Sequence, residues 1–158
     1  MNINVICIGK LKEKYWTEAI QEYSKRLSAY CSVKIVELKE AKLPKNASPA
    51  DELNVINKEG EDILSRISDG DYVVALEVEG KLLESPELAR EVEAAAMRHS
   101  TIDFVIGGSL GLSAAVKRRA NLGLSFGRIT LPHQLARVVL LEQIYRAFKI
   151  NNNETYHK

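Results

Sequence analysis

Two side chains that can do chemistry lie four residues apart near the carboxyl end of the chain. His133 and Arg137 follow the glycine-containing segment 125–131, and Pro132 separates that segment from them. Residues four apart share one face of a helix, and the free N–H groups of a helix's first turn attract anions and carbonyl oxygens. The pair predicts a site for an anionic or carbonyl-bearing ligand. A capped core helix with an exposed His and Arg is the alternative.

A second candidate is the run GGSLGL at 107–112, which follows a predicted strand and precedes a predicted helix. Glycines let a ligand approach the backbone where a Cβ would clash, so the run could line a cofactor slot. Its spacing matches neither a dinucleotide fingerprint nor a P-loop. It does fit the nucleophile elbow G-x-S-x-G, with Ser109 as nucleophile. Residues 110–132 carry no acid, however, so a triad would need Glu142 or Glu154 with His157.

The chain ends in an aromatic ring, an imidazole and a cation, Tyr156, His157 and Lys158. Tyr156 could stack on a nucleobase, His157 could exchange a proton, and Lys158 could meet a phosphate. Because chain ends usually fray, a disordered tail is the alternative.

Charge is distributed unevenly along the chain. Its net charge at pH 7 is +1, from 22 Lys and Arg against 21 Asp and Glu. Residues 117–158 carry eight of the cations and two of the acids, a net charge of +6, so the residues before them carry −5. A basic end on an acidic body predicts a localised contact with a polyanion, whereas chance asymmetry of a solvated surface is the alternative.

Hydrophobic periodicity predicts strands that alternate with helices along the 158 residues. Apolar, β-branched runs predict strands at 2–9, 33–38, 72–78, 102–106 and 122–126. Helical spacing and caps predict helices at 15–27, 48–67, 85–98, 113–120 and 132–148. This alternation is typical of an α/β fold with a mostly parallel sheet and helices on both faces, here as one domain.

Two local details are also predicted. Glu79, Gly80 and Lys81 are expected to turn the chain after the third strand. The last helix should be capped by Thr130 or Leu131. Its inward stripe should consist of Leu135, Val138, Val139, Leu141, Glu142, Tyr145 and Phe148.

Ligands of parallel α/β sheets bind beyond the carboxyl ends of the strands. The loops 77–81, 107–112 and 126–132 follow predicted strands, so we expect them to form the site. Cys7 and Cys31 are too few and too isolated for a disulfide framework or a zinc site. No apolar run approaches the roughly 20 residues of a membrane span and no signal peptide is recognisable, so we expect a cytoplasmic protein.

Five motifs together resemble one family over essentially the whole chain. They are MNINVICIGKLKEKYW, ALEVEGK, FVIGGSLGL, SFGRITLPHQLARVVLLEQIYRAFKI and the terminal TYHK, in family order. The chain resembles the RlmH family of the SPOUT superfamily. These enzymes use S-adenosylmethionine to methylate N3 of a pseudouridine in helix 69 of 23S rRNA. One departure is Leu110, where the family usually has an acidic or amide residue.

The resemblance implies a C-terminal trefoil knot, the α/β-knot of SPOUT proteins, and a homodimer that acts on the ribosome without a metal. It implies that backbone groups hold S-adenosylmethionine at Leu76, Gly108, Gly127, Arg128, Ile129, Thr130, Leu131 and Pro132. It implies catalytic roles for His133, Arg137, Tyr156 and His157, and RNA contacts from Arg137, Arg146, Tyr156, His157 and Lys158. A catalytically inert RNA- or ribosome-binding dimer of the same fold is the alternative.

Overall fold

The structure, a computed structural model, describes residues 1–156, so the predicted roles of His157 and Lys158 lie outside the described residues. Strands and helices alternate through this part of the chain, as predicted. The strands are β1 (Asn2–Ile8), β2 (Ser32–Leu38), β3 (Tyr72–Leu82), β4 (Thr101–Ile106) and β5 (Leu122–Ser125). The helices are α1 (Lys14–Leu27), α2 (Pro49–Leu64), α3 (Ser85–Ala96), α4 (Ala114–Arg119) and α5 (His133–Asn151).

The five strands form one parallel sheet in the order β2-β1-β4-β3-β5. β1 lies inside the sheet: Ile6 is opposite Val36 of β2 on one side and Val105 of β4 on the other. Because all strands run in the same direction, their carboxyl ends meet at one edge, called here the carboxyl edge. The predicted α/β class is confirmed, and the trefoil knot stays a prediction.

Successive residues of a strand enter two different hydrophobic clusters, because side chains alternate between the faces of a sheet. In β1, Val5 and Cys7 join the cluster covered by α1, α3 and α5, whereas Ile6 and Ile8 join the cluster covered by α2 and α4. Helices therefore cover both faces, as predicted. Cys7 is a free thiol, and burial raises its pKa to about 11, so it stays protonated at neutral pH.

α2 begins at a capping box and packs closely against α4. Ser48 Oγ accepts a hydrogen bond from Asp51 N, and the Asp51 carboxylate accepts one from Ser48 N. Gly60 permits the close approach of the helices, because a Cβ there would lie 2.2 Å from Ser113 Oγ. Ser113 caps α4, as predicted, by accepting a hydrogen bond from Val116 N. This packing anchors the end of the glycine-rich segment that precedes α4.

The structure corrects the predicted turn at 79–81. β3 continues to Leu82, and both Leu76 and Lys81 pair with Leu124 of β5. Gly80 makes this pairing possible, because a Cβ there would lie 2.8 Å from the carbonyl carbon of Leu124. Residues 77–80 therefore bulge out of the ladder at the carboxyl edge instead of reversing the chain.

α5 buries a different stripe from the predicted one. Its buried residues are Ala136, Arg137, Leu140, Leu141, Ile144 and Ala147. Of the predicted set, Leu141 is fully buried, and Val138, Tyr145 and Phe148 are partly buried and pack against the same core cluster. α1 and α3 both pack against α5, and this packing decides which face is buried, including the large side chains of Arg137, Leu140 and Ile144. The helix also begins after Pro132 at the N-cap, without a side-chain cap, and not after Thr130 or Leu131.

Candidate active site

A cavity of about 750 Å³ lies at the carboxyl edge of the sheet. It is formed by the three loops that the sequence singled out, those after β3, β4 and β5, together with the first turn of α5. We call it the main cavity. The predicted cofactor residues that line it are Leu76, Gly108, Gly127, Ile129, Thr130, Leu131 and Pro132.

The glycine turn at 107–112 forms one wall of the main cavity. Gly111 N donates a hydrogen bond of 3.1 Å to Gly108 O, and Gly111 has a φ of +86°, in the region that favours glycine. A Cβ on Gly107 would lie 2.8 Å from the carbonyl carbon of Gly111, so the turn is too tight for a side chain at that position. Ser109 lies within this turn and, in the described part of the chain, has no hydrogen-bonded histidine, so the nucleophile elbow lacks its base there.

Glu59 supports the glycine turn from behind, and sequence reasoning missed it. Its side chain is 3% exposed, and Oε2 accepts a hydrogen bond of 3.0 Å from Ala41 N. Burial raises the pKa of Glu59, and the bond from Ala41 opposes that rise. A Cβ on Gly108 would meet Glu59 Oε1 at 3.1 Å, so the wall behind the turn leaves little room for a side chain there. The spacing of residues in α2 could have revealed it, because Glu59 lies four residues from both Val55 and Ile63 and so shares their buried face.

The bulge of β3 forms a second wall and brings acidic side chains to the main cavity. Glu77 and Glu79 both line it. Glu77 forms an ion pair of 3.6 Å with Lys117. Gly123 leaves room for the Glu77 side chain, because a Cβ there would lie 2.3 Å from Glu77 Oε2. These carboxylates can accept hydrogen bonds from hydroxyl or ammonium groups of a ligand.

The segment between β5 and α5 forms a third wall. Ser125 Oγ accepts a hydrogen bond of 3.1 Å from Gly127 N and donates one of 2.8 Å to Val78 O. Gly127 has a φ of +122°, which only glycine adopts readily. Arg128, alone among the predicted cofactor residues, does not line the main cavity: its guanidinium donates to Val78 O and Gly80 O. Its side chain therefore ties this segment to the bulge of β3.

His133 and Arg137 prove to have different surroundings. His133 lines the main cavity, whereas the Arg137 side chain is 1% exposed. Arg137 donates to Ile8 O at 3.0 Å, to Gly9 O at 2.8 Å and to the Glu37 carboxylate at 2.9 Å. This placement does not fit the predicted contact of Arg137 with RNA. The guanidinium instead joins the start of α5 to the carboxyl ends of β1 and β2.

The last described residues lie far from the main cavity of the same chain. Tyr156 donates a hydrogen bond of 3.1 Å to Glu142, and Arg146 stacks 4.7 Å from the centroid of the Tyr156 ring. Arg146 lies thirteen positions after His133 in α5, which corresponds to roughly 20 Å along the helix axis. Burial, then the charge of Glu142, raises the pKa of Tyr156, so its phenol stays protonated at neutral pH. In this placement Tyr156 is not a proton acceptor.

Residues 1–156 lack the features of two other kinds of site. No helix in that range is both long enough and apolar enough to cross a membrane. Over the same residues, no group of three or more His, Cys, Asp or Glu side chains is arranged to hold a metal ion.

Comparison with known proteins agrees with this geometry. The family model described as "Predicted SPOUT methyltransferase" matches residues 1–157. The chain belongs to the SPOUT methyltransferase family. The resemblance deduced from the motifs is thereby confirmed, and the parallel sheet with helices on both faces is consistent with that family.

Three relatives of this SPOUT methyltransferase narrow the assignment within the family. Each is named ribosomal RNA large subunit methyltransferase H, and in each comparison the match covers 100% of both chains. The identity is 55% for the Leuconostoc mesenteroides protein, 57% for the Clostridium novyi protein and 53% for the Streptococcus gordonii protein. The chain is therefore a member of the family of these large-subunit methyltransferases.

Proposed function

We propose that this SPOUT methyltransferase uses S-adenosylmethionine to methylate N3 of a pseudouridine in helix 69 of 23S rRNA. The observation that carries the proposal is the convergence of the three family loops on one cavity at the carboxyl edge. The curated relatives, named for large-subunit rRNA methylation, support the substrate class. The N3 position and helix 69 come from the family that the motifs resemble.

The main cavity fits S-adenosylmethionine in size and in chemistry. Its volume of about 750 Å³ lies within the range of roughly 300–1,000 Å³ common for small-molecule sites. Leu76, Leu131 and other apolar side chains can cover the adenine, and the turns at 107–112 and 126–132 present backbone N–H and C=O groups. Glu77 can accept hydrogen bonds from the ligand's hydroxyl or ammonium groups. We assign Arg128 to holding the wall through Val78 and not to direct contact.

Methyl transfer requires alignment of the base with the methyl group and removal of one proton from the base. When bound, S-adenosylmethionine supplies a methyl group made electrophilic by its sulfonium. The N3–H proton leaves, a bond forms between N3 and the methyl carbon, and the S–CH₃ bond breaks. The chain must hold the base in line with that methyl group and accept the proton. His133 at the cavity and His157 are the candidate acceptors, since Tyr156 stays protonated and Arg137 is committed to Glu37.

The position of the tail favours a homodimer. Tyr156 and Arg146 lie roughly 20 Å along α5 from the cavity of their own chain, so in a dimer they would serve the partner's cavity. α5 also carries Leu135 and Val139, half-buried apolar residues outside the hydrophobic clusters of the described chain, which a second copy can cover. We propose one methyltransferase domain over residues 1–158 that acts as a dimer on ribosomes in the cytoplasm.

Transfer of labelled methyl groups tests the proposal. Purified protein, tritiated S-adenosylmethionine and ribosomes that lack the modification are mixed, and label in 23S rRNA is measured and mapped by nuclease protection. We expect about one methyl group per ribosome at the helix 69 pseudouridine. Saturable binding of S-adenosylmethionine in calorimetry is the accompanying measurement, and its absence would overturn the cofactor assignment.

The second candidate function is an inert ribosome-binding dimer. Leu110 favours it, because an apolar residue stands in the glycine turn where the family usually has a polar one, and Leu110 lines the main cavity. The same assay separates the candidates: ribosome binding without label in 23S rRNA would support the inert dimer. A Leu110→Asn variant that gained transfer would identify the residue responsible.

A further inference from the structure

Two loops at the carboxyl edge carry a row of unpaired lysines. The loop after β1 contains Lys10 and Lys12, and the loop after β2 contains Lys39, Lys42 and Lys45. All five are exposed, and none has a hydrogen bond or ion pair with another described residue. We call these five residues the lysine rim. They lie within residues 1–116, which carry a net charge of −5, so the charge count along the sequence did not reveal them.

The backbone that carries the lysine rim is held in place. Gly9 N donates a hydrogen bond of 2.7 Å to Leu38 O, and Leu11 N donates one of 2.9 Å to Glu37. Arg137 binds the same Glu37 carboxylate together with Ile8 O. The β1 loop, the β2 loop and the start of α5 are therefore joined at one point. Two loops fixed in this way can hold their lysines in a constant relation to the active site.

The lysine rim reaches the neighbourhood of the main cavity through Lys42. A smaller cavity of about 380 Å³ is lined by Lys42 and Leu43 on one side and by Ser109 and Leu110 on the other. Ser109 and Leu110 also line the main cavity. In addition, Ala41 is bonded to Glu59, which stands behind Gly108. This surface therefore borders the mouth of the cavity where a target base would meet the cofactor.

The charge of the lysine rim differs from that of an ordinary mixed surface. The two loops hold Glu13 and Glu40 against five lysines. At the opposite edge of the sheet, by contrast, Arg119 donates to Ser68 O and Asp71 O and is thereby committed to the fold. A cluster of unpaired cations beside a cavity attracts a polyanion. Because the net charge of the whole chain is only +1, this attraction must come from local clusters of charge.

We propose that the lysine rim binds the phosphate backbone of the rRNA next to the target nucleotide. This inference rests on the proposed function and deepens it, because it assigns a substrate-binding surface outside α5 and the tail. Phosphate contacts position a nucleic acid without reading its sequence, so the target base must be selected by other contacts beside the cofactor. The lysines therefore contribute to affinity for the ribosome and to its salt dependence, and not to the methyl transfer step.

The test replaces all five lysines by glutamine and measures two quantities over a range of salt concentrations. The first is the Kd for ribosomes from co-sedimentation, and the second is the KM and kcat for methyl transfer. We expect the Kd and KM to rise at least about tenfold at 0.1 M salt, with kcat at saturation and calorimetric cofactor binding unchanged. The slope of log affinity against log salt should become shallower by roughly 0.7–0.9 for each phosphate that the variant no longer neutralises.

Matched pairs separate the lysine rim from charge in general. Lys12→Gln with Lys42→Gln is compared with Lys25→Gln and Lys34→Gln, two exposed lysines on α1 and β2 outside the rim. Only the rim pair should raise the Kd and lower the salt slope. Equal effects of the two pairs, or native values for the five-lysine variant, would overturn the proposal. If the native protein transfers no methyl group but binds ribosomes in a rim-dependent way, the proposed function fails and the lysine rim stands.

Discussion

The two edges of the sheet differ in what their loops enclose. At the amino edge, Arg119 donates to Ser68 O and Asp71 O, and Asn121 Oδ1 accepts a hydrogen bond of 2.8 Å from Val73 N. Loop carbonyls and amides there are bound by the protein's own side chains. At the carboxyl edge, the three loops instead enclose a cavity of about 750 Å³. At both edges side chains tie loops to the fold, as Arg137 and Arg128 do at the carboxyl edge, but only the carboxyl edge also leaves a cavity between its loops.

Deleting residues 156–158 should produce the largest effect, and it tests whether the tail contributes to methyl transfer at the carboxyl edge. Methyl transfer should fall about 1,000-fold, because general acid–base catalysis contributes on the order of 10²–10⁴ and the stacking group is removed as well. Cofactor binding and the unfolding transition should stay near native. The control is Tyr30→Phe, which removes the Tyr30–Glu154 hydrogen bonds at the same end of the molecule. A truncated protein with native transfer would make the tail an ordinary frayed end.

Gly108→Leu should abolish most cofactor binding. The new side chain would meet Glu59 and Ile8 within about 3 Å and push the glycine turn into the main cavity, rather than simply filling the cavity. Overpacking of this kind costs about 3 kcal/mol, or roughly 100-fold in Kd, measured by calorimetry. Gly70→Leu at the amino edge is the control, since a Cβ there has no atom within 4 Å. Similar reductions in both variants would contradict the difference between the edges.

Arg137→Met should destabilise the fold more than Arg119→Met. The first change removes the donor of buried Ile8 O and leaves the Glu37 carboxylate with Leu11 N but without its cation, which costs about 3 kcal/mol of unfolding free energy. The second exposes the carbonyls of Ser68 and Asp71 to water, so we expect about 1 kcal/mol. Urea denaturation followed by circular dichroism measures both. Equal values would show that the two arginines support their edges to the same degree.

Asp103→Asn should stabilise the protein in a pH-dependent way. Asp103 is buried near the amino edge, and burial, moderated by a hydrogen bond from Asn4, raises its pKa to about 6. The folded pKa exceeds the unfolded value of about 3.9, so ionisation opposes folding. Its contribution to stability is full below about pH 4 and is lost as the pH rises through 6. The variant should therefore gain about 1–2 kcal/mol at pH 8 and little at pH 4.

Urea denaturation at pH 4 and pH 8 checks this prediction. Asp69→Asn, an exposed change in the nearby loop, is the control and should leave the pH dependence unaltered. A gain from Asp103→Asn of the same size at both pH values would mean that the charge of Asp103 is not what costs stability.

Much of the site was predictable from the sequence because its signals are local. Alternating apolar residues located the strands, and glycines and Pro132 marked the turns that follow β4 and β5. A parallel sheet must bring the carboxyl ends of its strands to one edge, so the sequence was sufficient to group the three loops into one site. The prediction of a turn at 79–81 was wrong because Gly80 is compatible both with a turn and with close backbone pairing. Pairing with β5 selected the second conformation.

The sequence by itself determined the class of fold, the loops that form the cavity and the family, through periodicity, turn chemistry and motif order. Only the tertiary structure decided the roles of single charged residues. Arg137 became a buried connector because Ile8 O, 129 residues away in sequence, is brought to it by the sheet. Glu59 became the support of Gly108 for the same reason. Whether a charge faces a ligand, a carbonyl or water depends on partners distant in the chain, which spacing along one segment does not contain.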